Sequence, residues 1–109
     1  RDSYVNVFLC HAGIYRFAHR TDWSSLRSLS LYRLIQSLEN FDLSKDRTGD
    51  IVRLLEFGFE DSEHMEDLQD VLQHYAVWNV EVVMQDTEFS KLLERIPSLE
   101  KAIFRSMWK

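Results

Sequence analysis

Residues 23–39, WSSLRSLSLYRLIQSLE, decide the fold class of this chain. Four apolar side chains of this stretch recur at i, i+3, i+4 and i+7 and therefore share one helical face: Leu31, Leu34, Ile35 and Leu38. The spacing predicts an amphipathic helix from about Trp23 to Glu39. Asp22, directly before it, is the predicted N-cap, because its carboxylate can accept from the first free backbone N–H groups.

The same helical spacing recurs on both sides of this stretch. Upstream, residues 4–19 carry one apolar stripe, formed by Phe8, Ala12, Tyr15 and His19. Downstream, the spacing predicts helices over residues 48–59, 63–79, 87–96 and from 98 onward. The sequence therefore predicts an all-α fold, a bundle of about six antiparallel or orthogonally packed helices. It would form a single domain over residues 1–109, with a helical pair in 1–39 and a helical extension in 40–109.

Polar residues and the single proline set the predicted helix ends. Thr48, Thr87 and Ser98 are predicted N-caps, and Pro97 is predicted to end the helix before it. Gly58 indicates either a close contact between helices or a fraying end. Residues 80–84, VEVVM, are the one β-like stretch. Because one short strand has nothing to pair with, we expect a continued helix or an extended linker there.

The predicted core consists of apolar residues on the inner faces of these helices. Their burial would make each of them sensitive to truncation. They are Tyr15, Leu26, Leu29, Leu34, Leu54, Leu72 and Leu93.

Composition excludes several classes of protein. The chain has 109 residues, of which 45% are hydrophobic and only four are Gly or Pro, fewer than Gly-rich nucleotide-binding folds need. One cysteine excludes an internal disulfide. The absence of a recognisable signal peptide or apolar span favours an intracellular protein, cytoplasmic or nuclear, without membrane contact. The start without Met is typical of a piece of a longer protein.

The net charge is unevenly distributed. It is −5 overall, which argues against nucleic acid as a partner. Residues 1–36 carry five Arg and two Asp, a net of +3, whereas residues 37–109 carry eight basic and sixteen acidic residues, a net of −8. We interpret the two halves as solvated faces of one fold.

No pattern in the sequence indicates catalysis, a cofactor or a metal. The four histidines, His11, His19, His64 and His74, lack the spacing of a metal site. Cys10 has no activating neighbour on its helical face. The acidic run over residues 60–70 lacks the pattern of a calcium loop. It is typical of a solvated helix start, and the alternative is a contact for a basic partner.

Residues 11–34, HAGIYRFAHRTDWSSLRSLSLYRL, resemble the end of the BTB/POZ domain in fungal BTB proteins. Five residues match the usual pattern: Tyr15, Ala18, Leu26, Leu29 and Leu34. Trp23 stands one or two places after the usual aromatic, and Ser30 replaces a usual Ala. Segments 51–55, 68–71 and 89–93 are similar to the helical region that follows that domain, so the resemblance covers nearly the whole chain.

The resemblance implies a non-catalytic adaptor protein. BTB domains form homodimers and can recruit the cullin scaffold of ubiquitin ligases. The β-rich half of such a domain would precede Arg1, and with it the usual dimer contact and part of the cullin contact. No functional residue of the family is therefore carried over to a numbered position of this chain.

The first helix is the predicted interaction surface. Without a preceding β-rich half, its apolar residues Val5, Phe8, Leu9 and Ile14 would lack cover, and we expect a homodimer through this helix, joined by Trp108. The alternative is that the rest of the chain folds back over this face.

Two further functions remain open. A ligand-binding or enzyme-accessory bundle would place Tyr15, His19, Tyr75 and Trp78 around a void. A binder of basic partners would use residues 60–70.

Overall fold

The apolar stripes of the sequence become the buried faces of seven α-helices in the computed structural model, which describes residues 4–41, 43, 47–60 and 65–107. Those residues contain no strand, so the predicted all-α class is confirmed. The helices are α1 (Tyr4–Arg20), α2 (Ser24–Glu39), α3 (Thr48–Glu60), α4 (Glu66–Trp78), α5 (Val80–Val83), α6 (Thr87–Arg95) and α7 (Pro97–Met107).

Helices α1 and α2 form a tightly turned pair. The amide of Trp23 donates to the carbonyl of Ala18 at 2.8 Å, and Asp22 takes a left-handed φ of 56° to make the turn. The predicted N-cap at Asp22 is therefore wrong. Trp23 holds the cap position, and no side chain caps the helix. Asp tolerates a left-handed backbone better than most residues. Asp22 therefore forms the turn between the two helices and does not occupy the N-cap position of α2.

The core forms where α3 packs against α1, α4, α5 and α6. Five residues of the predicted core are buried, namely Tyr15, Leu34, Leu54, Leu72 and Leu93. Leu26 is only partly buried, and the prediction for Leu29 is wrong, because 46% of it is exposed. Its neighbour Ser30 is buried instead and donates to the carbonyl of Arg27 at 3.0 Å.

The caps of the C-terminal half also differ from the predictions. Asp86, not Thr87, caps α6: its Oδ1 accepts from the amide of Glu88 at 2.8 Å. Its Oδ2 accepts from the hydroxyl of Thr48 at 2.6 Å, so that Thr48 joins α3 to α6. Pro97 is the first residue of α7, where its missing N–H costs nothing. The predicted cap at Ser98 is therefore wrong, since this residue already lies inside the helix.

The β-like stretch is helical. Helix α4 ends at Asn79, whose side-chain amide and backbone amide both donate to the carbonyl of Tyr75, at 2.9 and 3.1 Å. Residues Val80–Val83 then form the short α5. The expectation of continued helix is thus confirmed after one break. The predicted start of the preceding helix at Glu63 lies outside the described residues.

Gly58 marks a close contact between α3 and α4. A Cβ atom added at this position would overlap the Cδ1 atom of Leu72, which is 2% exposed. The carbonyl of Gly58 also accepts a hydrogen bond from the side chain of Gln69 at 3.0 Å. The absence of a side chain at this residue therefore sets the distance between the two helices.

Substitution of two leucines of α2 tests the facing of this helix. Leu34→Ala should lower the free energy of unfolding by about 2–5 kcal/mol, because it leaves a cavity in the core. Leu29→Ala is the matched control and should change it by less than about 0.5 kcal/mol, as for other surface positions. Chemical denaturation measures both. Equal losses from the two variants would show that this facing is wrong.

Two glycine substitutions test the α3–α4 contact. Gly58→Ala should destabilise the protein by about 1–3 kcal/mol, because the buried Leu72 has little room to move. Gly13→Ala should stabilise it by about 0.5–1 kcal/mol, since nothing lies within 4 Å of an added Cβ and Ala favours the helix. Thermal unfolding compares them. A stabilising Gly58→Ala would contradict the close approach.

Candidate interaction surface

Helix α1 carries a second apolar stripe that faces solvent. Val7, Cys10, Ile14 and Phe17 are spaced at i, i+3, i+7 and i+10, and all four are exposed, Phe17 to 55%. Residues at this spacing lie along one line of a helix. The stripe is distinct from the inner face of α1, so this helix is apolar on two sides.

Packing against α2 and α3 leaves this stripe uncovered. On one flank of α1, Leu9 lies in a groove with Val52 and Phe57 of α3, and the guanidinium of Arg16 sits 4.3 Å from the centre of the Phe57 ring. On the other flank, Ala18 is fully buried beside α2. The outward line between these flanks remains roughly half exposed.

Helix α2 extends the exposed apolar surface. His11 of α1 lies close enough to Arg33 of α2 for the positive charge of Arg33 to lower the pKa of His11. Leu29 lies one turn before Arg33 on α2, and Ile14 lies one turn after His11 on α1. Because the two helices are antiparallel, Leu29 and Ile14 follow the Arg33–His11 pair in the same direction along the hairpin. We give the name hairpin face to six exposed residues of this helix pair: Val7, Cys10, Ile14, Phe17, Leu29 and Tyr32.

The helix pair that carries the hairpin face has a net positive charge. Residues 4–39 contain four Arg, one Asp and one Glu, a net of +2, in a chain whose overall charge is −5. Helix α1 itself contains no Asp or Glu. Burial and the charge of Arg33 both lower the pKa of His11, which favours its neutral form. The positive charge of the helix pair therefore comes from its arginines.

The predicted interaction residues lie elsewhere. Phe8 is completely buried and packs edge to face on Phe41, with ring centres 5.1 Å apart. Its place in a contact between chains is therefore a wrong prediction, because the chain after α2 folds back and covers it. Leu9 is only partly buried, beside α3. The side chain of Val5 and the whole of Trp108 lie outside the described residues.

Sequence reasoning missed Val7, Cys10 and Phe17. In the sequence, these three residues and Ile14 recur at i, i+3, i+7 and i+10, which is the spacing of residues along one side of a helix. It was overlooked because Phe8, Ala12 and Tyr15 make a second line on the same helix. A helix with two apolar lines does not itself indicate which one the chain buries.

The residues that could act as metal ligands or nucleophiles are scattered over the described structure. His11 and His19 lie on α1, where His19 stacks on Tyr15 at 6.5 Å, and His74 lies on α4. His64 is outside the described residues. Among the residues that are described, no three His, Cys, Asp or Glu side chains come together as metal ligands would. Cys10 is exposed.

The acidic run serves two structural roles. Glu60 and its neighbour Glu56 both contact Arg95 of α6, at 3.0 and 2.5 Å, and so join α3 to α6. Glu66 and Asp67 occupy the first turn of α4, where the helix dipole favours negative charge. These contacts agree with the solvated helix start that the sequence indicated.

An apolar groove lies on the other side of α2, between it and α4. Its volume is about 650 Å³. The predicted void among Tyr15, His19, Tyr75 and Trp78 does not form: Tyr15 is buried in the core, and Trp78 is 88% exposed. The groove is lined by Ile35, Leu38, Glu39, Phe41, Leu43, Asp70, Val71, His74, Tyr75, Trp78 and Asn79.

Comparison with known proteins gives no relative of this chain. No family model matches it, and no curated protein or solved structure matches it significantly. In the described part of the chain, no helix has the length and apolar character that a membrane crossing requires. Function must therefore be argued from the surfaces of the molecule.

The pKa of His11 tests the arrangement of α1 beside α2. Arg33→Gln should raise it, because a nearby positive charge is removed. Arg27→Gln is the matched control and should leave it unchanged. A titration of the imidazole proton shifts by NMR measures both. An unchanged value in Arg33→Gln would contradict the position of Arg33 next to His11.

The lowered pKa of His11 determines how the free energy of unfolding changes with pH. The folded chain binds a proton at His11 less readily than the unfolded chain does. This residue therefore lowers the free energy of unfolding as the pH falls below about 6.5. His11→Gln should reduce that loss.

Proposed function

We propose that this chain is a non-catalytic protein-interaction module whose hairpin face binds an amphipathic helix of a partner protein. The observation that carries the proposal is the exposed apolar line of Val7, Cys10, Ile14 and Phe17 beside Leu29 and Tyr32. Contiguous apolar surface of this kind marks interaction sites in folded proteins. A helix laid along the hairpin would cover it with residues at the same spacing.

Charge favours an acidic partner. The arginines around the hairpin face attract a helix whose apolar line is flanked by Asp and Glu, and they speed its association. A symmetric pair of two copies would bring two hairpins of net positive charge together. Like charges at an interface are unfavourable. The homodimer expected from the sequence is thus less favourable than a complex with an acidic helix.

The resemblance to fungal BTB/POZ proteins supports the same proposal. Adaptors of that group act by holding partner proteins, and a cullin scaffold is the partner that the resemblance suggests. An intracellular location, cytoplasmic or nuclear, belongs to this proposal. The part that rests on this chain's own residues is narrower: one apolar, basic-flanked helical hairpin that can receive a helix.

A designed peptide tests the proposal. The probe is a labelled amphipathic helix of about 21 residues, with Leu at the a and d positions and Glu on its flanks. It should bind at least about tenfold more tightly than the same peptide with Lys flanks, and high salt should reduce this difference. Phe17→Glu should weaken binding about tenfold or more, because it places a charge on the apolar line. Fluorescence anisotropy measures the dissociation constants.

The matched control is Phe104→Glu. Phe104 on α7 is 48% exposed, similar to Phe17, but lies away from the hairpin. Equal losses from Phe104→Glu and Phe17→Glu would contradict the proposed site, as would equal binding of the Lys-flanked peptide. Sedimentation equilibrium of the chain alone should show a 13.0 kDa species. A dimer abolished by Phe17→Glu would assign the hairpin face to a second copy instead.

A further inference from the structure

We infer that the groove between α2 and α4 binds a small organic cation with an apolar body. The groove lies between α2 and α4, whereas the apolar line of Val7, Cys10, Ile14 and Phe17 lies on α1. The inference is therefore independent of the function proposed for the hairpin face. Three features of the groove support it: its apolar floor, its acidic edge and an exposed indole.

The floor of the groove is apolar and formed by packed residues. Phe41 and Leu38 belong to the buried core, and Leu43 and Val71 pack against it. The volume of about 650 Å³ falls within the range of sites for drug-sized molecules. Because these residues are held by the core, the floor is formed before any ligand arrives.

Two acidic residues line the groove: Glu39, which ends α2, and Asp70 on α4. Among the described lining residues there is no Lys or Arg, and the guanidinium of Arg47 lies 5.9 Å from the centre of the Phe41 ring. The neighbouring His74 directs Nδ1 to the carbonyl of Asp70 at 2.7 Å, and the same nitrogen is 3.6 Å from the Asp70 carboxylate. A ligand with a positive group would thus meet two carboxylates at the edge of an apolar floor.

Aromatic side chains form one wall. Trp78 is 88% exposed, and Tyr75 lies one turn before it on α4. An indole is the aromatic group that attracts cations most strongly. Together with Glu39 and Asp70, this wall favours a quaternary ammonium or protonated amine over a neutral ligand of the same shape.

The length of the groove favours a small molecule over a helix. Its α4 side runs from Asp70 to Trp78, about 12 Å at the helical rise of 1.5 Å per residue. An amphipathic helix of three turns is about 16 Å long. The groove therefore accommodates one compact ligand more readily than a partner helix.

The test uses the full chain and 4-phenylbutyltrimethylammonium as probe. Its neutral counterpart has a tert-butyl group in place of the trimethylammonium. NMR titration should show saturable shifts at the Trp78 indole N–H and at the amides of Val71 and Tyr75. The cation should bind about fivefold or more tightly than the neutral compound. Trp78→Ala should weaken binding of the cation about fivefold, and Glu39→Gln or Asp70→Asn about threefold each.

Matched controls separate this site from general binding. Trp23→Ala removes another exposed indole, and Glu94→Gln removes an exposed carboxylate on α6, so neither should change the dissociation constant. Phe17→Glu should also leave it unchanged, which distinguishes failure of this site from failure of the hairpin face. Melting curves confirm that each variant is folded.

Several outcomes would overturn the inference. They are no saturable shifts at millimolar probe, equal binding of the neutral compound, and equal effects of Trp23→Ala and Trp78→Ala. Binding of a basic amphipathic peptide at these residues without binding of the small cation would also overturn it, since the groove would then receive a protein.

Discussion

The edge-to-face contact of Phe8 with Phe41 determines which side of α1 remains available. Phe41 follows α2 directly, so this contact folds the chain back over the inner face of the first helix. With Phe8, Ala12 and Tyr15 buried, the apolar line through Ile14 stays exposed. The same fold-back brings Phe41 to the floor of the groove between α2 and α4. Both proposed surfaces therefore depend on one aromatic pair.

The two proposed surfaces differ in charge. The hairpin of α1 and α2 carries a net positive charge, whereas Glu39 and Asp70 are among the residues that line the groove. Opposite charges would favour different ligands for the two proposed sites. In the first 39 residues, the net positive charge of the sequence coincides with exposed apolar side chains.

The sequence predicted the helices well and their ends poorly. A helix is a local pattern, and the stripe of Leu31, Leu34, Ile35 and Leu38 specifies it without tertiary information. Helix caps depend on tertiary neighbours. Asp86, and not Thr87, is the N-cap of α6, and it also accepts a hydrogen bond from the hydroxyl of Thr48, 38 residues earlier in the chain. The surfaces were the least predictable, because the choice between the two apolar lines of α1 is made by Phe41. The groove likewise combines residues from two helices and the segment between them.

The exposed area of the hairpin face sets the kind of complex that it can form. Full burial of a Val, Leu, Ile or Phe side chain contributes about 1.5–3 kcal/mol, and Val7, Ile14, Phe17 and Leu29 are each roughly half exposed. A partner that covers them would gain about 1 kcal/mol from each side chain, or about 4 kcal/mol in all. That gain only matches the lower estimates of the entropy lost on association, about 4 kcal/mol. Apolar contact alone therefore leaves little net affinity, so the proposed complex would need a further contribution, such as attraction between the arginines of the hairpin and an acidic partner.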